Sequence, residues 1–517
     1  MKRRNFIKGA TVAAASAPLV LNGMNLGVLE RAGLLHKLNN EDDKVLVLIQ
    51  LQGGNDGLNM VIPLDAYDNL ANLRGNIMIP EAQILQLTDL TGLHPSMTGL
   101  KAMWDNSRVN IVHSAGYPDQ NRSHFRSTDI WTSAANSDEY ISTGWLGRHF
   151  DPQYPGFPTD YPNEANPDPI AIAMGSVLSE TCQGLAANYC VSVNDPFGIS
   201  PLLEGETGVV IDEPYGWELA FLRTAISSTN AYGDVIGAAA TAGNNMVTYP
   251  DTKLGEQLKN VALLISGGLK TKVYVCSLGG FDTHSGQVEV GNTAIGDHAD
   301  LLTELSEAVA AFQADIQAQS MAHRVIGMTF SEFGRQIASN GSSGTDHGSA
   351  APLLLFGSCV RPGFTGENPE IPTVVASQEG VAMQHDFRNI YGSVLIDWFG
   401  ITQQDVESYI TPNFTYIPLI DCAVNAVAPI ADMNMNLTLT PNPFSDRVQI
   451  SFVCPVAMRV RLQIYGTLGH IVETVFDRQL LAGQHRFTYV GSHLPAGNYY
   501  CQLQMGSNQK TKLMVKI

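Results

Sequence analysis

Three apolar runs, Val45–Leu51, Val273–Leu278 and Val325–Phe330, constrain the fold more than any other feature of the 517-residue chain. None shows polar alternation, which suits strands buried on both faces of a largely parallel sheet. Each breaks into a glycine-bearing turn loaded with polar groups. The first opens into Gly53-Gly54-Asn55-Asp56-Gly57, and the second into Gly279-Gly280-Phe281-Asp282-Thr283-His284. The third opens into Ser331-Glu332-Phe333-Gly334-Arg335, with Gly344-Thr345-Asp346-His347-Gly348 shortly after. Ligands and metals gather at the carboxyl ends of strands in such folds.

The segments between these runs alternate. Ser123–Ala134, Ala299–Gln317 and Asn389–Phe399 read as helices, the second because Leu301, Leu302, Leu305, Val309 and Phe312 recur at helical spacing. Val109–Val112, Leu353–Phe356 and Thr373–Val375 read as further strands. The expectation for residues 42–429 is therefore an α/β domain, a mostly parallel sheet covered on both faces. Residues 151–251 are rich in Pro, Gly, Asn and Ser and read as an insertion or lid, loops plus a short helix near Trp217–Ala225. A formal net charge of −19 argues against nucleic acid as a partner. No apolar run is long enough for a transmembrane helix. The seven cysteines lack zinc-type spacing, and Cys182 and Cys190 are close enough to bridge a short loop.

Both ends differ from this domain. Arg3-Arg4-Asn5-Phe6-Ile7-Lys8 precedes the apolar stretch Ala10–Leu21, so residues 1–27 read as a signal peptide of the twin-arginine (Tat) type. From residue 434 to 517 there are eight Lys/Arg against three Asp/Glu, a net of +5, which leaves −24 on the remainder. Short alternating runs such as Arg447–Phe452 and Arg459–Ile464, separated by turn residues, predict a small antiparallel β-sandwich. Pro441-Asn442-Pro443-Phe444, Leu494-Pro495-Ala496-Gly497-Asn498-Tyr499 and a lysine-rich last strand resemble the type A sorting domain of the type IX secretion system of Bacteroidetes. That resemblance implies the secretion machinery as a partner and a destination at the cell surface or outside.

The main domain carries Leu51–Asn59, Leu93-His94-Pro95, Gly116-Tyr117-Pro118, Ser123-His124-Phe125 with Trp131, Gly279–His284, Thr329–Arg335 and Gly344–Gly348. Together these resemble the exported bacterial family known as domain of unknown function 1501. That family is similar to the alkaline phosphatase and sulfatase superfamily. The resemblance implies a three-layer sandwich and a site built from a first-strand acid, a hydroxyl nucleophile, an Asp/His pair and an adjacent Asp-His.

Carried over by position, Asp56 matches the first-strand acid and shares one cation with Asp346 and His347. Asp282 and His284 match the other pair, with a shorter spacing than the superfamily's, and His385 is the candidate third ligand for a second ion. His298 stands in reserve for it. One or two divalent ions are implied, zinc, manganese or magnesium. Ser123 opens a helix and is either the nucleophile or an ordinary N-cap, and His124 beside it is the other catalytic candidate. Glu332 and Arg335 read as a structural ion pair or helix-start contact rather than as catalysts. No cysteine stands in a Cys-x-Pro-x-Arg motif, against a formylglycine sulfatase. Two functions remain open: a metal-dependent hydrolase of phosphate or sulfate esters on small-molecule or polymer substrates, and a non-catalytic surface protein acting in carbohydrate or outer-membrane assemblies.

Overall fold

The computed structural model describes residues 20–21, 24–25, 43–198, 214–422, 437–454, 458–466, 471–480, 483–505 and 508–517. The Tat-type segment expected over residues 1–27 lies almost wholly outside them. The chain divides into two compact units, Met1–Ala426 and Val427–Ile517.

Side chains of Val45–Gln52 (β1) point alternately into two separate cores. Val45, Val47, Ile49 and Leu51 enter one, while Leu46 and Leu48 enter the other. A strand buried on both faces needs a layer on each side, and the sequence supplies them. Thr98–Asp105 (α2), Pro214–Ala242 (α4), Lys253–Ser266 (α5) and Asp297–Ala318 (α6) contribute to the first core. His124–Ser133 (α3) and Phe387–Val394 (α7) contribute Ile130, Trp131, Ile390 and Tyr391 to the second. Trp398, fully buried there, donates its indole N–H to the Val45 carbonyl, so the polar tip of a large apolar side chain is satisfied. Tyr67–Arg74 (α1) is among the helices after β1.

The nine-stranded sheet adds Val109–Gly116 (β2), Ala171–Met174 (β3), Cys190–Val193 (β4), Val273–Gly279 (β5), Val325–Phe330 (β6), Ala351–Gly357 (β7), Gly363–Thr365 (β8) and His385–Asp386 (β9). Their order is β8-β2-β7-β6-β1-β5-β3-β4, with β9 also on β2. Only β7 runs antiparallel to its neighbours. The carboxyl ends of β1, β2, β5 and β6 therefore share one edge, and β7 begins there. This delivers the turns of all the motifs to one place.

Two segments differ from expectation. Residues 151–251 hold more regular structure beside their loops than one short helix: they supply β3 and β4 to the sheet and the 29-residue α4. Their Pro- and Asn-rich links hide two four-residue strands too short to show periodicity. Thr373–Val375 forms no strand. The Cys182–Cys190 spacing, which allows a bridge, is not used: both are buried free thiols, and Cys359 pairs with Cys422.

The second unit consists of two antiparallel sheets. One contains Thr438–Thr440, Arg447–Cys454 and Gly483–Val490; the other contains Met458–Gly466, Ile471–Leu480, Gly497–Met505 and Asn508–Lys516. Val448, Ile450, Val460, Leu462, Ile464, Cys501 and Leu503 alternate inward to its own core. No helix among the described residues is long and apolar enough to cross a membrane.

Candidate metal centre

The glycines of the motifs let three turns approach within backbone contact. Gly53 has φ +118°, and a Cβ there would sit 2.3 Å from the Asp282 nitrogen. At Gly344 a Cβ would lie 2.5 Å from the His284 carbonyl. A side chain at either position would force the turns apart. Arg335, fully buried, ties them together: its Nε donates to the Gly54 carbonyl, Nη1 to Thr345, and Nη2 to the Gly53 and Phe281 carbonyls and the Asp282 carboxylate. Gln287 ties them again. Its Oε1 accepts from the Thr283 and Thr345 hydroxyls, while its Nε2 donates to Asp56.

On this frame three imidazoles converge. His284 Nδ1 lies 2.8 Å from Asp346 Oδ1, His347 Nδ1 2.9 Å from the Arg122 carbonyl, and His124 Nδ1 2.9 Å from Glu332 Oε1. All three partners are acceptors, so each neutral ring carries its proton on Nδ1 and a lone pair on Nε2. Those lone pairs surround Asp282. Its Oδ1 is 3.2 Å from His284 Nε2, 3.2 Å from His347 Nε2 and 3.5 Å from His124 Nε2. His284 Nε2 and His347 Nε2 stand 2.9 Å apart, and His124 Nε2 is buried without a hydrogen-bond partner. Four acceptor atoms facing one another repel unless a cation or an extra proton lies among them.

The spacing suits a cation. Donor atoms at about 2.0–2.2 Å from a tetrahedral ion lie roughly 3.3–3.5 Å apart. Ligand atoms of His124, Asp282 and His347 all fall within 4.8 Å of one another. Nitrogen and carboxylate donors suit zinc or a similar first-row ion. Each ring nitrogen opposite the centre is held by a carboxylate or carbonyl, the arrangement that orients metal-binding histidines. Phe333, buried, packs 4.9 Å from the His124 ring and 4.6 Å from His347. The face remains open to solvent, with Asp282 48% and Asp346 49% exposed.

Electrostatics agree. Burial pushes the Asp282 carboxyl up, but the hydrogen bond and charge of the Arg335 guanidinium outweigh it and hold the group below the usual carboxylate range. The His284 ring and Asn340 hold Asp346 low. Burial pushes the His347 imidazole down, favouring the neutral form a ligand needs.

The predicted residues thus separate. His124, Asp282, His284 and His347 meet at one point, with Asp346 behind His284 as its hydrogen-bond partner. Asp56, expected to share a cation with Asp346 and His347, does not join them. Both its oxygens lie within 3.0 Å of Arg74 Nη1, and Oδ2 also accepts from Gln287. His385 is also outside the cluster. With no strand at Thr373–Val375 to deliver it, it pairs beside Ala115 at the end of β2. His298 accompanies Asp56, 3.0 Å from Asn55 Oδ1. Ser123 is the exposed N-cap residue of α3, and its hydroxyl makes no capping bond. Glu332 and Arg335 form no pair; each serves the centre separately. Glu332, buried and bound by the Gly53 N–H, carried a sequence signal only in its position after a strand end.

Comparisons with known proteins bear on the two units differently. Residues 264–403, which span Asp282, His284, Glu332, Arg335, Asp346 and His347, match the family described as protein of unknown function (DUF1501). Residues 438–516 match the secretion system C-terminal sorting domain. The chain thus combines a DUF1501 segment with a tail that directs export by the type IX system to the cell surface or beyond. No curated protein matches the chain significantly. Among solved structures it is similar to a sulfatase from Pseudoalteromonas sp. (8% identity, 90% of this chain and 87% of that one, TM-score 0.33). It is also similar to a phosphonate monoester hydrolase from Silicibacter pomeroyi (8% identity, 92% and 89%, TM-score 0.31). Likenesses this distant leave the centre to be read from its own atoms.

Proposed function

We propose that this protein is an exported metal-dependent hydrolase of phosphate or sulfate esters, working at the cell surface or outside. One observation carries the ion: three imidazole Nε2 lone pairs surround Asp282 Oδ1, with every Nδ1 already bound to an acceptor. The ester class follows from the sequence resemblance. His124, Asp282 and His347 hold the ion, with His284 as a fourth donor. Asp346, Glu332 and the Arg122 carbonyl fix the rings, and Arg335 fixes the Asp282 carboxylate. A divalent ion there supplies Lewis-acid polarisation of the ester and activates water near neutral pH. Half-exposed ligands leave a substrate room to approach. Export begins with the Tat-type segment, which carries proteins already folded and suits a centre loaded before secretion.

The test is hydrolysis by the purified secreted chain of nitrophenyl phosphate, bis-nitrophenyl phosphate and nitrophenyl sulfate. At least one should turn over, stop on chelation and recover with added divalent ion. An ion-loaded protein that cleaves none of these classes points to the surface-protein alternative.

A further inference from the structure

The centre described above contains one Asp-bearing turn, while a second, equivalent turn lies behind it and is closed. Asp56 follows β1 as Asp282 follows β5, and the two strands are neighbours in register from Leu46 with Val273 to Gln52 with Gly279. By position Asp56 is where a second cation would bind. The space is taken. Arg74, the last residue of α1, is fully buried and directs Nη1 to both Asp56 oxygens at 3.0 and 2.9 Å.

The other guanidinium nitrogens are also engaged: Nε donates to the Ile337 carbonyl at 2.8 Å and Nη2 to the Gln336 carbonyl at 2.6 Å, while Nη1 also reaches Asn59 at 3.2 Å. Gln287 fills the remaining approach to Asp56 Oδ2 at 2.6 Å. A planar, permanently charged group bonded through all three of its nitrogens has no reason to leave for a hydrated ion, which would have to shed its water to enter. The residues present do not fit a second metal.

We infer that this protein holds a single divalent ion per chain, and that the Arg74 guanidinium is a built-in substitute for a second cation at Asp56. This rests on reading the His124/Asp282/His347 cluster as an ion site. The substitution makes the charge at Asp56 fixed and independent of metal supply, so chelation empties the outer centre and leaves the inner pair intact.

The experiment is metal counting on the full chain by mass spectrometry under non-denaturing conditions. Metal-stripped protein is titrated with zinc and, separately, manganese. One equivalent should bind tightly. In Asp56→Asn the count should stay at one, although the unfolding temperature falls. Two tight equivalents in the native chain overturn this inference and leave the hydrolase reading standing. Loss of the bound ion in a folded Asp56→Asn protein does the same. No tight equivalent at all overturns both. Should Asp56→Asn fail to fold, the native titration alone decides.

Discussion

Two carboxylates in equivalent turns, Asp56 after β1 and Asp282 after β5, meet opposite solutions to the same electrostatic problem. Asp56 is 1% exposed, and the chain supplies its counter-charge from Arg74. Asp282 is 48% exposed, and the chain surrounds it with imidazole lone pairs as well as Arg335. Burial pushes the Asp56 carboxyl up, yet Arg74, His298 and Gln287 together hold it below the usual range. A buried charge must be compensated by the fold itself, because water cannot assist and exchange is blocked. An open charge can leave its compensation to something that arrives later. The inner turn is built for stability and the outer one for a ligand.

That contrast is broken most forcefully at the outer turn. Asp282→Ala removes the common point of the three Nε2 atoms and should weaken ion binding on the order of 10³-fold, about 4 kcal/mol. Isothermal titration of the metal-stripped chain measures it. Ester hydrolysis should disappear with the ion. An unchanged affinity would show that the histidines bind elsewhere.

At the inner turn the effect should appear in folding instead. Arg74→Met leaves Asp56 buried without its counter-charge and should cost about 3–5 kcal/mol in denaturant unfolding. The outer ion should stay bound at unchanged stoichiometry. A variant that unfolds normally but has lost its ion would merge the two turns into one functional unit.

The sequence made the outer turn far more legible than the inner one. Apolar runs ending in glycine turns revealed the sheet edge, and Asp282, His284, Asp346 and His347 stood out because their types and glycine neighbours mark ligand turns. His124 was visible only as the neighbour of Ser123 at a helix start, a catalytic candidate rather than a ligand. Arg74 was not: it is 18 residues from Asp56, on a different element, and nothing in the order of residues links a helix-end arginine to a turn aspartate. Gln287 was equally silent, since an amide becomes informative only when its three partners surround it. His385 was misplaced because a valine pair read as a strand.

Acid sharpens the comparison from the inner side. Burial, opposed by Asp56 and aided by Arg335 and Arg74, lowers His298 from 6.5 to about 4. Its Nδ1 is buried without a partner, so the ring stays neutral in the fold. Between pH 6.5 and about 4 the unfolded chain therefore binds a proton that the folded chain refuses, and stability falls as pH drops through that window. The contribution is about 3 kcal/mol for this ring. Asp56, held low, adds its own loss only below that window. Unfolding midpoints measured from pH 7 to pH 4 should show the slope, and His298→Gln should flatten part of it. A slope unchanged in that variant would assign the acid sensitivity to His94, His113 or His149, which burial also lowers.

The smallest effect concerns Ser123, which belongs to neither turn. Its hydroxyl is exposed, makes no capping bond to α3, and lies outside the group formed by the neighbouring His124. Removing an exposed hydroxyl that holds nothing should change stability by less than about 0.5 kcal/mol. Ion content should also be unchanged, because His124 is oriented by Glu332 and Phe333 rather than by its neighbour. If an activated water attacks the ester, Ser123→Ala should retain hydrolysis within a few-fold. Loss of turnover, with the ion and the unfolding temperature both preserved, would make the serine the nucleophile and the centre its activator. Trapping separates the cases further: a phosphoryl or sulfuryl group recovered on Ser123 after acid quench marks a covalent intermediate, and its absence fits direct attack by water.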